Sequence, residues 1–391
     1  MGPARRRETT VRSVQRRISR IAAVASAAAL ALAGAAAVAS AADGWPLTPR
    51  AVPGLPGAPA EADLPDAASA SGAQCRDYFF PVTEPGSSAV LKEFGQLCTS
   101  DPALLGKQPV QVLIHGGTYD HTYYDWPYQP DRYNYVRYMT QRGFTTLNLD
   151  RIGYGHSDHP LGASLNFDVA ANTTHQIVQY LRQGGLGASF GTVTLNGYSM
   201  GGLTSQVEAG TFHDVDALMV HAVGHGLLTP ASTARLGTFA YPALLDPKFS
   251  GQPWAADPAY LTSIPGRRTI FYGPASTFDP QQLTVEDATK DTMSATELAD
   301  ITLRTYTDQT KNIDVPILWS PGQYDKIWCG TTDDCDTDPM SANEPGYYRP
   351  GMFTKYIVQN TGHATLLGYG GVDYLNEIVG WLGAHGIHGV R

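Results

Sequence analysis

Charge is scarce in this chain. Only 16% of its 391 residues are Asp, Glu, Lys or Arg, and acids outnumber bases 36 to 27, for a net charge of −9. An acidic chain offers no basic face to a phosphate backbone, which argues against a nucleic-acid partner. Cysteine is equally sparse, at four residues. The four are not spaced as a metal-ligand or redox motif, and in an exported chain such a set reads as two disulfides. No internal repeat is present, and the acidic run Asp333, Asp334, Asp336 and Asp338 lacks the glycine and terminal Glu of an EF-hand loop. It reads as a solvated acidic loop, and no metal or cofactor is expected.

The chain begins with an export pattern. Residues 1–20 hold seven Arg and one Glu, residues 21–38 are uncharged and mostly Ala, and Val38-Ala39-Ser40-Ala41 ends in an Ala-x-Ala cleavage pattern. Residues 1–41 are therefore expected to be a signal peptide, with the mature chain secreted and no stable membrane anchor retained. No Cys lies near the cleavage site, so a lipoprotein is not expected. The pair Arg16-Arg17 leaves the choice between general and twin-arginine export open. Because residues 1–41 carry a net +6, their removal takes the net charge from −9 to about −15.

Residues 42–74 are dense in Pro, Ala and Gly without apolar periodicity, and predict a flexible lead-in. From Cys75 the pattern changes. Two short strands over 75–82 and 89–98 precede an alternation of buried strands at 110–114, 144–149, 193–196 and 217–223 with helices near 133–142 and 169–182. Such β-α-β units predict a mostly parallel sheet with helices on both faces. The rhythm breaks over 226–312, where Pro-rich turns separate helical pieces and no strand stands out. That segment predicts an inserted, mainly helical cap, dividing the core into 75–225 and 313–391. Local pairing of Cys75 with Cys98 and of Cys329 with Cys335 is preferred among the three possible arrangements, each pair bracketing one turn.

The chemistry gathers at Gly197-Tyr198-Ser199-Met200-Gly201, which follows an alternating strand and opens a helix. A serine at such a strand-to-helix turn stands exposed with its Oγ above the helix N-terminus. Gly187-Ala-Ser189-Phe-Gly191 fits the same pentapeptide but leads into a strand, the reverse of the required order. A serine hydroxyl needs a base, an orienting carboxylate and oxyanion donors. His363, past the last strand, is the base candidate, with His221 and His225 as lesser ones. Asp325, in the loop after the strand at 315–320, is the acid. His115-Gly116-Gly117 follows the strand ending at Ile114, so the Gly117 and Met200 amides are the oxyanion candidates. The aromatic stretch from Tyr119 to Tyr128 is either an acyl-pocket wall or a packed loop; Tyr119, Trp126 and Tyr198 are the substrate-binding candidates.

With the order Ser, Asp, His in the chain, the sequence resembles an α/β-hydrolase from about Cys75 to the C-terminus. Asp150-Arg-Ile-Gly-Tyr-Gly-His-Ser157 resembles a loop common in that superfamily, and the His-Gly-Gly segment resembles its oxyanion loop. The resemblance implies cleavage of an ester or related acyl bond through an acyl-enzyme, on a small-molecule or lipid-like substrate. Amides, peptides, lactones and non-hydrolytic uses of the fold remain alternatives, because the motifs specify the fold far better than the substrate.

Overall fold

The computed structural model describes residues 45–226, 228–303 and 307–391, and the export pattern lies outside them. Nine strands form one sheet: β1 (Ala60–Ala62), β2 (Gln74–Thr83), β3 (Val90–Thr99), β4 (Val110–Ile114), β5 (Thr145–Asp150), β6 (Val193–Tyr198), β7 (Ala217–His221), β11 (Ile317–Ser320) and β12 (Phe353–Lys355). Their order is β1-β2-β3-β5-β4-β6-β7-β11-β12. The first three are antiparallel and join β5 antiparallel, and from β5 to β12 every pair is parallel. Every residue of β4, β5, β6 and β7 is buried, as continuous strands covered on both faces should be.

The helices follow from the same patterning. Helix α1 (Phe167–Arg182) is capped by the Asn166 side chain, which accepts from Val169 N, and packs against α2 (Met200–Phe212). At the C-terminus, α3 (Gly371–Ala384) turns Tyr374, Leu375, Ile378, Trp381 and Leu382 inward at helical spacing. Strand β4 lies between β5 and β6, so the chain departs to both sides of it. That reversal opens a crevice at the carboxyl ends of the strands, where α/β sheets bind ligands.

Two expectations need correction. Residues 46–74 are not a flexible lead-in. Arg50 donates through its backbone N to Gly185 O at 2.8 Å and through Nε to Gly184 O at 2.8 Å, Leu47 and Val52 are buried, and β1 pairs with β2. The segment lacks periodicity because it lies as an extended strap whose contacts are scattered along its length. Gly187 in the decoy pentapeptide is part of its seat, since a Cβ there would lie 2.6 Å from Thr48 N.

The stretch between β7 and β11 is likewise not free of strands. Alongside the helices Pro230–Gly237, Gln281–Thr289 and Ala295–Leu303 it forms a three-stranded antiparallel sheet of β8 (Ala240–Pro242), β9 (Tyr260–Ser263) and β10 (Thr292–Ser294), in the order β10-β9-β8. Strands of three or four residues are too short for alternation to register in a sequence. The two disulfides pair as expected, Cys75 with Cys98 and Cys329 with Cys335. The first joins residues directly opposite each other on β2 and β3. No helix among the described residues is long and apolar enough to cross a membrane.

Candidate active site

Ser199 closes β6 with φ 53° and ψ −116°, a backbone conformation that is strained for a side-chain-bearing residue. The glycines on either side make the turn possible. A Cβ on Gly197 would sit 2.3 Å from Gly201 O, and one on Gly201 would sit 2.0 Å from Ile114 O. The elbow thus presses backbone to backbone against the end of β4. Ser189 of the alternative pentapeptide sits instead in an exposed loop before β6.

His363 Nε2 lies 2.9 Å from Ser199 Oγ, and His363 Nδ1 lies 2.8 Å from Asp325 Oδ2. The other carboxylate oxygen of Asp325 accepts from the backbone N of Ile327 at 2.9 Å and of Trp328 at 3.2 Å. Those donors leave the carboxylate one orientation, facing the imidazole. With Nδ1–H donated to Asp325, Nε2 is the acceptor for the serine hydroxyl. Asp325 and His363 are both buried. Their loops touch at glycines: a Cβ on Gly322 would fall 1.9 Å from Gly362 O, and Tyr324 N donates to Thr361 O at 2.9 Å.

The loop after β4 reaches the same point, because Ile114 pairs with Gly197 in register. A Cβ on Gly116 would meet the Tyr198 ring at 2.9 Å, and one on Gly117 would meet Met200 Sδ at 2.5 Å. Gly117, Ser199, Met200 and His363 line one pocket. Its remaining wall is apolar, with Leu236, Phe239, Phe271, Met293 and Ile301 from between β7 and β11 and with Ile327 and Trp328 following Asp325. Counted to its open mouth the pocket encloses about 380 Å³.

The segment between β7 and β11 also grips the loops that carry Gly117 and His363. Thr118, at φ 61°, donates its N–H to Thr292 O at 2.8 Å, and its carbonyl accepts from Asp291 N at 3.0 Å. Arg268 Nη1 donates to Thr118 O at 3.1 Å and to Thr118 Oγ1 at 2.9 Å. Arg268 is fully buried and ion-paired with Glu286, which also accepts from Tyr119 OH at 2.8 Å and Tyr272 OH at 2.7 Å. Burial works against the guanidinium charge, but the adjacent Glu286 carboxylate overrides it and holds the pKa above its ordinary value. On the other side, Ala364 N donates to Phe271 O at 2.8 Å beside the base.

Tyr119, Trp126 and Tyr198 do not line the pocket. All three are buried: Tyr119 bonds Glu286, Trp126 Nε1 donates to Gln282 Oε1 at 2.6 Å, and Tyr198 stacks on Tyr123 with ring centroids 4.0 Å apart. Large rings next to a catalytic loop serve here as the packed floor between that loop and the segment above it. Among the aromatic residues between β7 and β11, Phe239 and Phe271 line the pocket. Tyr241 instead bonds Asp246 at 2.7 Å, and Trp254 stacks on His159 at 4.1 Å. Ile327 and Trp328 went unmarked, although their place beside the acid was a usable signal.

The lesser base candidates are engaged elsewhere. His221 Nδ1 lies 2.6 Å from Thr365 Oγ1 and its Nε2 3.1 Å from Tyr124 OH, and burial, with the His363 ring adding to it, lowers its pKa to about 3. His225 pairs with Glu344 at 2.7 Å. Among the described residues two groups have metal-ligand spacing, His121/Asp150/His156 and His175/Glu208/Asp214. In the first, Asp150 Oδ1 already accepts from His121 N at 2.7 Å and lies 2.8 Å from His121 Nδ1; in the second, His175 Nδ1 lies 2.7 Å from Asp214. The acidic run is also occupied, with Asp333 on Arg235 and Asp338 accepting from Thr331, Thr332 and Met340 amides.

A serine, histidine and aspartate relay at the carboxyl edge of a mostly parallel sheet, in the chain order Ser199, Asp325, His363, defines the α/β-hydrolase class. Residues 111–369 match the model of the alpha/beta hydrolase family, and the chain belongs to that family. Solved structures with the same architecture include a membrane phospholipase A described as a bacterial virulence factor, at 17% identity over 81% of this chain and 87% of its own, with a TM-score of 0.51. A protein described as a non-heme bromoperoxidase from Mycobacterium tuberculosis H37Rv is 14% identical over 75% of this chain and 96% of its own, at 0.51. A thermophilic esterase from Thermogutta terrifontis is 16% identical over 78% and 98%, at 0.49. At such identities the likeness is one of fold.

Proposed function

We propose that this chain is an exported serine hydrolase that cleaves carboxylic esters through an acyl-enzyme. The observation that carries the reading is the continuous relay from Ser199 Oγ through His363 to Asp325, at 2.9 and 2.8 Å, opening on an apolar pocket. Ser199 Oγ attacks the ester carbonyl while His363 Nε2 takes its proton, and Asp325 stabilises the imidazolium that forms. The carbonyl oxygen becomes an oxyanion, held by the amides of Gly117 and Met200. Collapse expels the alcohol with the proton from His363. Water then attacks the acyl group on Ser199 by the same steps in reverse order of partners.

In this reading residues 226–312 act as a cap whose Leu236, Phe239 and Phe271 shape the acyl pocket. A small-molecule or lipid-like ester suits an apolar pocket whose polar end is the serine and histidine. Export rests on the basic, Ala-rich leader with its Ala-x-Ala end, and the two disulfides support an oxidising compartment. The test is a fluorophosphonate probe followed by peptide mapping. Label is expected on Ser199 and should vanish in Ser199→Ala; a folded mature protein that takes no label on Ser199 overturns the reading.

A further inference from the structure

Beside the catalytic pocket lies a second, more open cleft of about 900 Å³ counted to its mouth, and Phe239 is a wall of both. The two run side by side along the chain. Leu236, Phe271 and Ile327 face the catalytic pocket, whereas their immediate neighbours Arg235, Ile270 and Lys326 face the cleft. The two differ in charge. The cleft is lined by three cations, Arg235, Arg267 and Lys326, and by no carboxylate.

Arg235 is committed, since it forms a two-pronged pair with Asp333 at 2.8 and 3.0 Å. Arg267 is exposed and Lys326 half-buried, and neither side chain has an ion-pair partner among the described residues. The setting makes this unusual. Apart from the seven arginines and two acids of residues 1–44, the chain sets 20 bases against 34 acids. The field of such a protein repels anions at a distance, so a pair of unneutralised cations in a cleft that shares a wall with the Ser199 pocket creates a local exception.

We propose that this cleft is a subsite for an oxyanionic group of the ester, a carboxylate or a phosphate, held by Arg267 and Lys326 while the apolar part of the same molecule occupies the Ser199 pocket. The proposal rests on the ester-hydrolase reading and names its substrate class. Phe239 is the partition over which such a substrate bends. Two solvent-facing cations contribute modestly and are screened by salt, so the preference for an anionic ester over its neutral counterpart is about tenfold in kcat/KM, expressed in KM.

Matched pairs of esters test it. 4-Nitrophenyl hydrogen glutarate against 4-nitrophenyl methyl glutarate places a carboxylate on the acyl side, and butyryl glycerol 3-phosphate against monobutyrin places a phosphate on the alcohol side. The charged member of at least one pair is expected to win, and which pair does so identifies the anion. Its advantage should shrink toward unity in about 0.5 M salt and in the double variant Arg267→Gln with Lys326→Gln. Equal rates within both pairs, or a preference that survives the double variant, overturn the subsite while leaving the neutral esters turning over. Failure of all four esters overturns the ester reading itself, a different and separable result.

Discussion

The sheet and the segment between β7 and β11 contribute to one site in different ways. The sheet delivers the reacting side chains, each from a loop at a strand's carboxyl end, held by backbone contacts so close that glycine is required. The inserted segment delivers no member of the triad. It supplies the apolar wall and, through Thr292 O and the buried Arg268–Glu286 pair, fixes Thr118, the neighbour of Gly117, whose amide is an oxyanion donor in the proposed mechanism. A cap is readily thought of as a sieve on substrate size. In the proposed mechanism it is also a brace on the chemistry, so removing it should affect turnover and selectivity together.

The sharpest way to test that division is to strike each side at its centre. Ser199→Ala should lower kcat by about 10⁵-fold or more with little change in melting temperature, because Ala keeps the Cβ that strains the elbow and removes only Oγ and its bond to His363. Arg268→Lys keeps the charge against Glu286 but loses the geometry on Thr118. Its expected effect is a fall of about 10- to 100-fold in kcat with KM nearly unchanged, the signature of a misplaced oxyanion donor. If Arg268→Lys instead raises KM and spares kcat, the inserted segment is a sieve and the comparison fails. Comparing short and long acyl 4-nitrophenyl esters on the same variant separates the two cases directly.

Buried charge draws the same contrast. In the inserted segment each fully buried Arg or Glu named here has its counter-ion, Arg268 on Glu286 and Glu297 on Arg151. On β3, burial pushes the Glu93 carboxyl up to about 8 against the opposing pull of Thr173 and Arg151. Because the folded-state pKa lies above the unfolded one, the folded protein holds this proton more tightly. Stability from this group is then full below about pH 4.5 and is lost as the pH rises toward 8. Glu93→Gln should remove that dependence and raise stability by about 1–3 kcal/mol at pH 9 relative to the parent chain, with little change at pH 4. Denaturant melts at the two pH values decide it, and parallel pH profiles for both chains would overturn the assignment.

How much of the site is legible in the sequence depends on how local the signal is. The elbow follows an alternating strand, and the His-Gly-Gly turn and Asp325 follow short, mainly apolar ones, so their loops can be placed and their chemistry read in order. His363 was legible despite the short β12, because it follows the last strand and is C-terminal to both partners. The pocket wall was not legible in the same way. Leu236, Met293 and Ile301 come from three different elements, and nothing in their spacing shows that they converge. Tyr119, Trp126 and Tyr198 failed for the opposite reason. Their position beside catalytic loops was correct, but aromatic residues there are as useful for packing as for binding, and only Glu286, Gln282 and Tyr123 reveal which.

The smallest expected effect concerns the two disulfides, one at each end of the sheet. Cys75–Cys98 spans 23 residues and staples an edge hairpin distant from Ser199 in the strand order; Cys329–Cys335 spans six and closes the loop that follows Asp325. Loop-closure entropy gives the long bridge about 3 kcal/mol and the short one about 2 kcal/mol. Cys329 N donates to Asp325 O at 2.9 Å and Cys335 N donates to Gln323 O at 2.7 Å, so the short bridge holds the backbone on both sides of Tyr324. Slack there would loosen the amides of Ile327 and Trp328 that orient the carboxylate, and an acid that drifts lowers turnover without touching Ser199 or His363. Cys329→Ser with Cys335→Ser is therefore expected to cost several-fold in kcat with a modest drop in melting temperature, whereas Cys75→Ser with Cys98→Ser lowers the melting temperature more and spares kcat. Equal kcat losses in the two double variants, or a loss confined to melting temperature in both, would reduce the short bridge to a surface staple.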